Sequence, residues 1–258
     1  MPEKPIIISQ NLSKSYWTRK KEWVSALENI NFIIKETSFI SIIGPSGCGK
    51  STLLKIIAGL IPSSSGDCYI DGHAVRAPSQ DVGFVFQNAV LLPWFTVLEN
   101  VLLPIRIQKR QEKDSCVDKA HKLIEMVGLK GFENSYPFEL SGGMQQRTAI
   151  VRALIYDPKV LLMDEPFGAL DAMTRDQMNI ELMRIWAESR KTILFVTHSI
   201  HEATLLSDRV IVMSARPGKI IEDLVIDLPR PRTTHSTATE RFDQLTSQLR
   251  NLLGMQSF

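Results

Sequence analysis

Long apolar runs are missing from this 258-residue sequence, in which no stretch approaches the roughly eighteen apolar residues that a membrane-crossing helix requires. The opening MPEKPIIISQ likewise lacks the apolar core of a secretory signal. Cysteine is scarce: Cys48, Cys68 and Cys116 are odd in number and share neither disulfide-framework nor zinc-ligand spacing, as expected of thiols in a reducing compartment. A charge excess is absent too. Against 28 Asp+Glu stand 30 Lys+Arg, a formal net charge of +2, without the basic surplus or stripe of a nucleic-acid footprint. These absences point to a cytosolic protein with no call for DNA or RNA. No internal repeat is visible, and the length leaves room for one large domain or a core with an insertion, at about 150 residues per domain.

What is present is alternation. Ile30–Ile34 and Phe39–Ile43 predict strands separated by the polar Lys35-Glu36-Thr37 turn, and a helix follows from about Lys50 to Gly59. Short strands are expected around Asp71-Gly72 and over Val82–Phe86. The pattern then turns helical, with Thr96–Ile107 and Asp114–Val127 as candidates, the second stopped by Gly128. From Val160–Met163 onward apolar strands alternate again with helices: one carries Met178, Leu182 and Ile185 on a single face, and Ile193–Val196 follows it. That alternation predicts an α/β fold with a largely parallel, helix-covered sheet. The end of the chain predicts a linker, Leu228-Pro229-Arg230-Pro231-Arg232, and an amphipathic helix with Phe242, Leu245, Leu249 and Leu252.

Three stretches carry chemistry. Gly44-Pro45-Ser46-Gly47-Cys48-Gly49-Lys50-Ser51-Thr52 fits G-x-x-x-x-G-K-[ST] between a strand and a helix, the context the motif requires. At ordinary glycine usage a chance match in a chain of this length is roughly a one-in-a-hundred event. Such glycines let backbone N–H groups wrap phosphates, Lys50 adds a point charge, and Ser51 suits Mg2+. Cys48 lies inside that loop, so a maleimide on its thiol is expected to block the cradle. Val160–Met163 ends in Asp164 and Glu165; beside a phosphate loop, Asp164 suits the Mg2+ shell and Glu165 the attacking water. Gln87 and His198 each follow a strand, and in α/β sheets ligands gather at strand carboxyl ends, so both become γ-phosphate candidates. The third stretch is Leu140-Ser141-Gly142-Gly143-Met144-Gln145-Gln146-Arg147, a second anion site at the mouth of a predicted helix.

Together these strings resemble the ATP-binding-cassette (ABC) ATPases over roughly residues 5 to 225. LSGGMQQR resembles the family's signature sequence, Gln87 its Q-loop glutamine, Ala169-Leu170-Asp171 its D-loop and His198 its switch histidine. Tyr16 resembles the aromatic residue that stacks on adenine, although Trp17 and Trp23 stand beside it. Asp171 also suits the cap of the helix that follows. Met144 departs from the commonest signature, which has Gln there, and Ser199 replaces a frequent Asp.

The resemblance implies a P-loop NTPase core with an antiparallel β region and an inserted helical subdomain. The core would take residues 1–87 and 159–228, the helical lobe with the signature 88–158, and the linker and C-terminal helix 229–258. It implies ATP and Mg2+ as cofactors, with Ser51, Gln87 and Asp164 toward the metal. Tyr16, residues 44–52, Ser141, Gly142 and Gly143 would hold the nucleotide, and Glu165, His198 and Gln87 would act in hydrolysis. It further implies a homodimer in which each ATP lies between one chain's P-loop and the other's signature helix. The dimer would dock under two membrane-spanning permease subunits, served by a solute-binding protein, at the cytoplasmic face of the membrane. Gln87–Trp94, Asp164–Met173, Ala215-Arg216-Pro217-Gly218 and Leu228–Arg232 narrow the resemblance to importers of nitrate, sulfonates, taurine or bicarbonate. The expected permease socket is Gln87–Phe95, with Leu91, Leu92, Trp94 and Phe95 either forming an apolar patch or filling the lobe's own core. A soluble ABC ATPase of DNA or ribosomes is the rival class. A P-loop kinase or GTPase would leave LSGGMQQR without a role.

Overall fold

The computed structural model describes residues 4–108 and 114–254; residues 1–3, 109–113 and 255–258, which fall within the expected core, lobe and tail, lie outside the described residues. The chain divides into two compact units, Met1–Ser79 with Lys191–Phe258, and Gln80–Arg190.

In the first unit, β1 (Pro5–Trp17) and β2 (Trp23–Lys35) form a long antiparallel hairpin. With β4 (Ser65–Ile70) and β5 (His73–Ala74) they make a four-stranded sheet in the order β2-β1-β4-β5. Asp71-Gly72 is the turn between the last two. Its φ values of 48° and 78° are those a two-residue hairpin loop demands, and Asp-Gly adopts them at little cost. β1 was not among the strands expected from the sequence. Register shifts, one of them between Ser9 and Leu12, interrupt its inward-outward alternation and blur the period that marks a strand.

The second sheet segment of this unit centres on β3 (Phe39–Ile43), parallel to β8 (Thr192–Val196) on one side and β9 (Arg209–Met213) on the other. β10 (Ile220–Val225) runs antiparallel outside β9. Every residue of β3 and β8 is buried, which is why both read as nearly continuous apolar runs. α1 (Lys50–Ile57) leaves the end of β3 and buries Leu53, Leu54, Ile56 and Ile57, each contributing about 1.5–3 kcal/mol. It stops before Gly59, whose φ of 70° ends the helix. α6 (Ile200–Leu206) follows β8, and α7 (Glu240–Leu252) meets it where Phe242 lies edge-on to His201; α7 buries Phe242, Leu245 and Leu249, the face the sequence predicts, with Leu252 half-buried.

In the second unit β6 (Val82–Val85) pairs in parallel with β7 (Val160–Asp164). α2 (Val97–Ile107) opens with a capping box between Thr96 and Glu99. α3 (Asp114–Met126) is stopped by Gly128 at φ 68°, as expected. α4 (Gly142–Leu154) and α5 (Ala172–Ser189) complete the unit, the latter burying Met178, Leu182 and Ile185. Gly83 lets α4 lie against β6: a Cβ there would sit 2.9 Å from the Ala153 carbonyl oxygen. The Leu91–Phe95 segment splits between the two expected readings. Buried Asn100 ties it down, accepting from the Leu92 N–H at 2.8 Å and donating to the carbonyls of Leu92, Phe95 and Thr96. Leu91, Leu92 and Phe95 are half-buried, whereas Trp94 is 66% exposed. Among the described residues no helix is long and apolar enough to cross a membrane.

Candidate nucleotide and signature sites

The first unit holds the phosphate loop. Gly44 through Gly49 join β3 to α1, with Gly47 at φ 74° and Gly49 at φ 111°. At Gly49 a side chain is excluded sterically as well, since a Cβ would lie 2.6 Å from Leu27 and 2.9 Å from the Ala26 carbonyl oxygen. With Gly49 as its N-cap and no acid in its first turn, α1 presents its leading N–H groups and positive dipole end without side-chain competition. Lys50 is buried, and its Nζ donates to the carbonyls of Gly44 at 2.9 Å and Pro45 at 3.1 Å. Pro45, Ser46 and Gly47 are exposed, and Ser51 and Thr52 are half-buried in the first turn. Backbone donors, one ammonium and a glycine cradle fit a polyphosphate.

Cys48 departs from expectation. Its side chain is fully buried among the loop's own residues: a Cβ on Gly44 would lie 2.9 Å from its Sγ, and Lys50 Nζ is 3.9 Å from that sulfur. Its N–H closes the loop onto the Pro45 carbonyl at 3.3 Å. A maleimide has no direct route to that sulfur in the folded chain.

Of the three neighbouring aromatics, Tyr16 reaches the loop's last residue: its hydroxyl lies 3.5 Å from Thr52 Oγ1, and Lys14 Nζ sits 5.1 Å from its ring centroid. Trp17 and Trp23 instead pair with each other across the hairpin, centroids 5.3 Å apart in an edge-on contact. His198 is exposed at the end of β8, between buried Thr197 and Ser199, and Ser199 caps α6 by accepting from the Glu202 N–H at 3.2 Å.

The loop also has a buttress to which sequence reasoning gave no role. Gly218 donates its N–H to the Ala26 carbonyl and accepts from the Glu28 N–H, both at 3.0 Å. A Cβ on it would stand 2.1 Å from the Cys48 carbonyl oxygen. Arg216 Nε donates to the Gly47 carbonyl at 3.3 Å. The string Ala215–Gly218 was legible, but its contact with a loop some 170 residues earlier was not.

The second unit holds the acids and the signature. Asp164 ends β7 and is buried; Glu165 is half-buried in a left-handed conformation, φ 47°. The Gly168 N–H closes this turn onto the Glu165 carbonyl at 3.1 Å, and Gln87 Nε2 lies 3.6 Å from where a Gly168 Cβ would be. Gln87 and the acidic turn are thus brought together.

Ser141 is exposed and caps α4, its Oγ accepting from the Met144 N–H at 3.3 Å. α4 carries no acid in its first turn, which keeps its positive end open to an anion. Gly143 is needed for packing: a Cβ would lie 2.9 Å from Thr174 Cγ2 on α5. Asp171 caps α5, as anticipated. The Thr174 N–H at 3.0 Å and then its hydroxyl at 2.7 Å hold the Asp171 carboxyl below the usual carboxylate range. Among the described residues no cluster of three or more His, Cys, Asp or Glu could hold a metal.

Known proteins resemble this chain over most of its length. The family description "ABC transporter" matches residues 27–168. An aliphatic sulfonates import ATP-binding protein of Bacillus cereus is 47% identical over 242 residues, covering 94% of this chain and 94% of its own. A taurine import ATP-binding protein of Pelagibacter ubique is 46% identical, covering 83% of this chain and 80% of its own. Among solved structures, a dimeric ATP-binding cassette in a post-hydrolysis state with ADP and phosphate superposes with a TM-score of 0.75 at 36% identity. It covers 86% of this chain and 99% of that one. Matched by the family description over more than half its length and by import ATP-binding proteins over most of it, the chain belongs to the ABC transporter family as one of its ATP-binding, ATP-hydrolysing subunits.

Proposed function

We propose that this chain drives uptake of an aliphatic sulfonate such as taurine, as the ATPase of an importer that works as a homodimer under two permease subunits. Likeness to a sulfonate import protein along 94% of the chain carries this reading. The same division of labour is assigned to the residues. The loop of residues 44–52 would bind the phosphates and Tyr16 the adenine, while Ser141, Gly142 and Gly143 would meet the γ-phosphate bound to the partner chain. Ser51, Gln87 and Asp164 would hold Mg2+, which when bound neutralises charge on the phosphates. Glu165 would orient or deprotonate the attacking water, and Gln87 and His198 would contact the γ-phosphate. Residues 88–158 would form the lobe that meets the permease, with exposed Trp94 at the contact. With no apolar span among its described residues, the subunit would sit peripherally at the cytoplasmic face and transmit force by contact. A solute-binding protein would deliver the sulfonate to the permeases.

The test is nutritional. Deleting the gene should abolish growth on an aliphatic sulfonate as sole sulfur source and spare growth on sulfate, with the gene in trans restoring it. Undiminished growth on sulfonates would remove the solute assignment.

A further inference from the structure

The string Leu228–Arg232 marked a branch of the family but had no work to do. In the first unit its two arginines reach back to one helix end. An α-helix leaves its last four carbonyls unpaired. Here Arg232 Nη1 donates to the carbonyls of Thr204 at 3.2 Å, Leu205 at 3.1 Å and Ser207 at 2.7 Å, and Arg230 Nη2 donates to that of Leu206 at 2.7 Å. Four successive carbonyls at the C-terminus of α6 thus end on two guanidinium groups, where the helix dipole also favours cations. Arg232 Nη2 spans to the carbonyls of Ile226 and Leu228, at 3.2 and 3.1 Å, so the side chain knots the linker to the helix. It is 5% exposed; burial, and next the Arg230 charge, push its pKa down to about 10, so it remains a cation at neutral pH. Arg230 is anchored in turn by Asp208 at 2.9 Å, whose other carboxylate oxygen accepts from the Phe39 N–H at the head of β3.

The other end of α6 is equally fixed. Thr197 bonds the buried Glu202 carboxylate and accepts from the Ser199 N–H at 3.0 Å, while Ser199 caps the helix. His198 lies between those two residues. A seven-residue helix held at both termini moves as one body, and His198 stands at one end of it.

We propose that Arg232 is a positioning residue for ATP hydrolysis, fixing α6 through its C-terminal carbonyls and thereby the place of His198. This rests on the role given above to His198, and the test separates the two. The full-length chain is assayed as wild type, Arg232→Gln, Arg232→Lys, His198→Ala, and His198→Ala combined with each Arg232 variant, for ATP turnover and for ATP dissociation constant.

Displacing a reacting group by about 1 Å costs up to roughly 100-fold, so Arg232→Gln should lower kcat about 10- to 100-fold. Its ATP affinity should stay within about twofold of wild type, with Lys, which keeps the charge but not the fork, in between. In the His198→Ala background the same substitution should change the residual kcat by less than about twofold, because the group it positions is gone. Wild-type kcat in Arg232→Gln overturns the proposal. So does an equal loss in both backgrounds, the signature of general destabilisation. Wild-type turnover in His198→Ala removes the role of the histidine itself and the proposal with it. Should Arg232→Gln not fold, the Arg232→Lys pair carries the same comparison.

Discussion

Gly218 gives the sharpest forecast, because a single methyl group there is aimed at the phosphate loop. An alanine Cβ would lie 2.1 Å from the Cys48 carbonyl oxygen. Ordinary close carbon–oxygen contacts begin near 3.3 Å, so roughly 1.2 Å has to be found. Residue 218 cannot retreat without breaking its two 3.0 Å hydrogen bonds to the Ala26 carbonyl and the Glu28 N–H. The loop therefore yields. Overpacking of this kind costs about 1–3 kcal/mol, offset by about 0.4–1 kcal/mol from the stiffer unfolded chain, for a net loss of about 1–2 kcal/mol. ATP binding should suffer more than stability suggests, at least about tenfold, because the displaced carbonyl belongs to the cradle itself. Gly72→Ala is the control: nothing lies within 4 Å of its Cβ, yet its φ of 78° makes alanine strained. That variant should lose about 1 kcal/mol with ATP affinity unchanged. Urea midpoints and a fluorescent-nucleotide titration measure both quantities. If Gly218→Ala keeps wild-type affinity while losing no more stability than Gly72→Ala, the buttress has no hold on the loop and the reasoning fails.

Replacing Glu165 by Gln should leave ATP binding intact and slow hydrolysis by about 10²–10⁴-fold, since the amide matches in size but cannot take a proton; wild-type turnover would refute the base assignment. In a background carrying Glu165→Gln, homodimers of Lys50→Ala or of Ser141→Arg should trap no ATP, whereas mixed dimers should trap about one, having one intact loop facing one intact signature. Two trapped ATP in the Ser141→Arg homodimer, or none in verified mixed dimers, would sink the shared-site arrangement. At alkaline pH, burial raises the Cys68 thiol from 9.0 to about 12 and the Tyr156 hydroxyl from 10.0 to about 12. The folded chain thus holds protons the unfolded chain releases, so both contributions are whole below about pH 9 and fade as the pH climbs toward 12. Urea midpoints between about pH 8.5 and 11 should fall less steeply in Cys68→Ala and Tyr156→Phe, and an unchanged slope in both would show these groups are accessible when folded.

The sequence alone determined whatever is decided within a few residues. The glycines of 44–49, the Thr96–Glu99 capping box, the Asp171 cap and the stop at Gly128 are matters of local dihedral freedom and of N–H groups one turn away. The faces of α5 and α7 were readable because a helical period records which side meets the core. Tertiary structure decided the rest. β1 was hidden by its bulges, and β9 and β10 were not among the expected strands. Cys48 is buried and the Tyr16 hydroxyl lies by Thr52, because packing far along the chain settles which side of a loop or strand is filled. Arg232 is the clearest case: in the sequence it stands in a proline-rich linker with the look of a solvated charge. Only in the fold does it meet unpaired carbonyls up to 28 residues away, where losing water is compensated by five acceptors and a helix dipole. Desolvation depends on everything that surrounds a group, and a linear sequence does not record its surroundings.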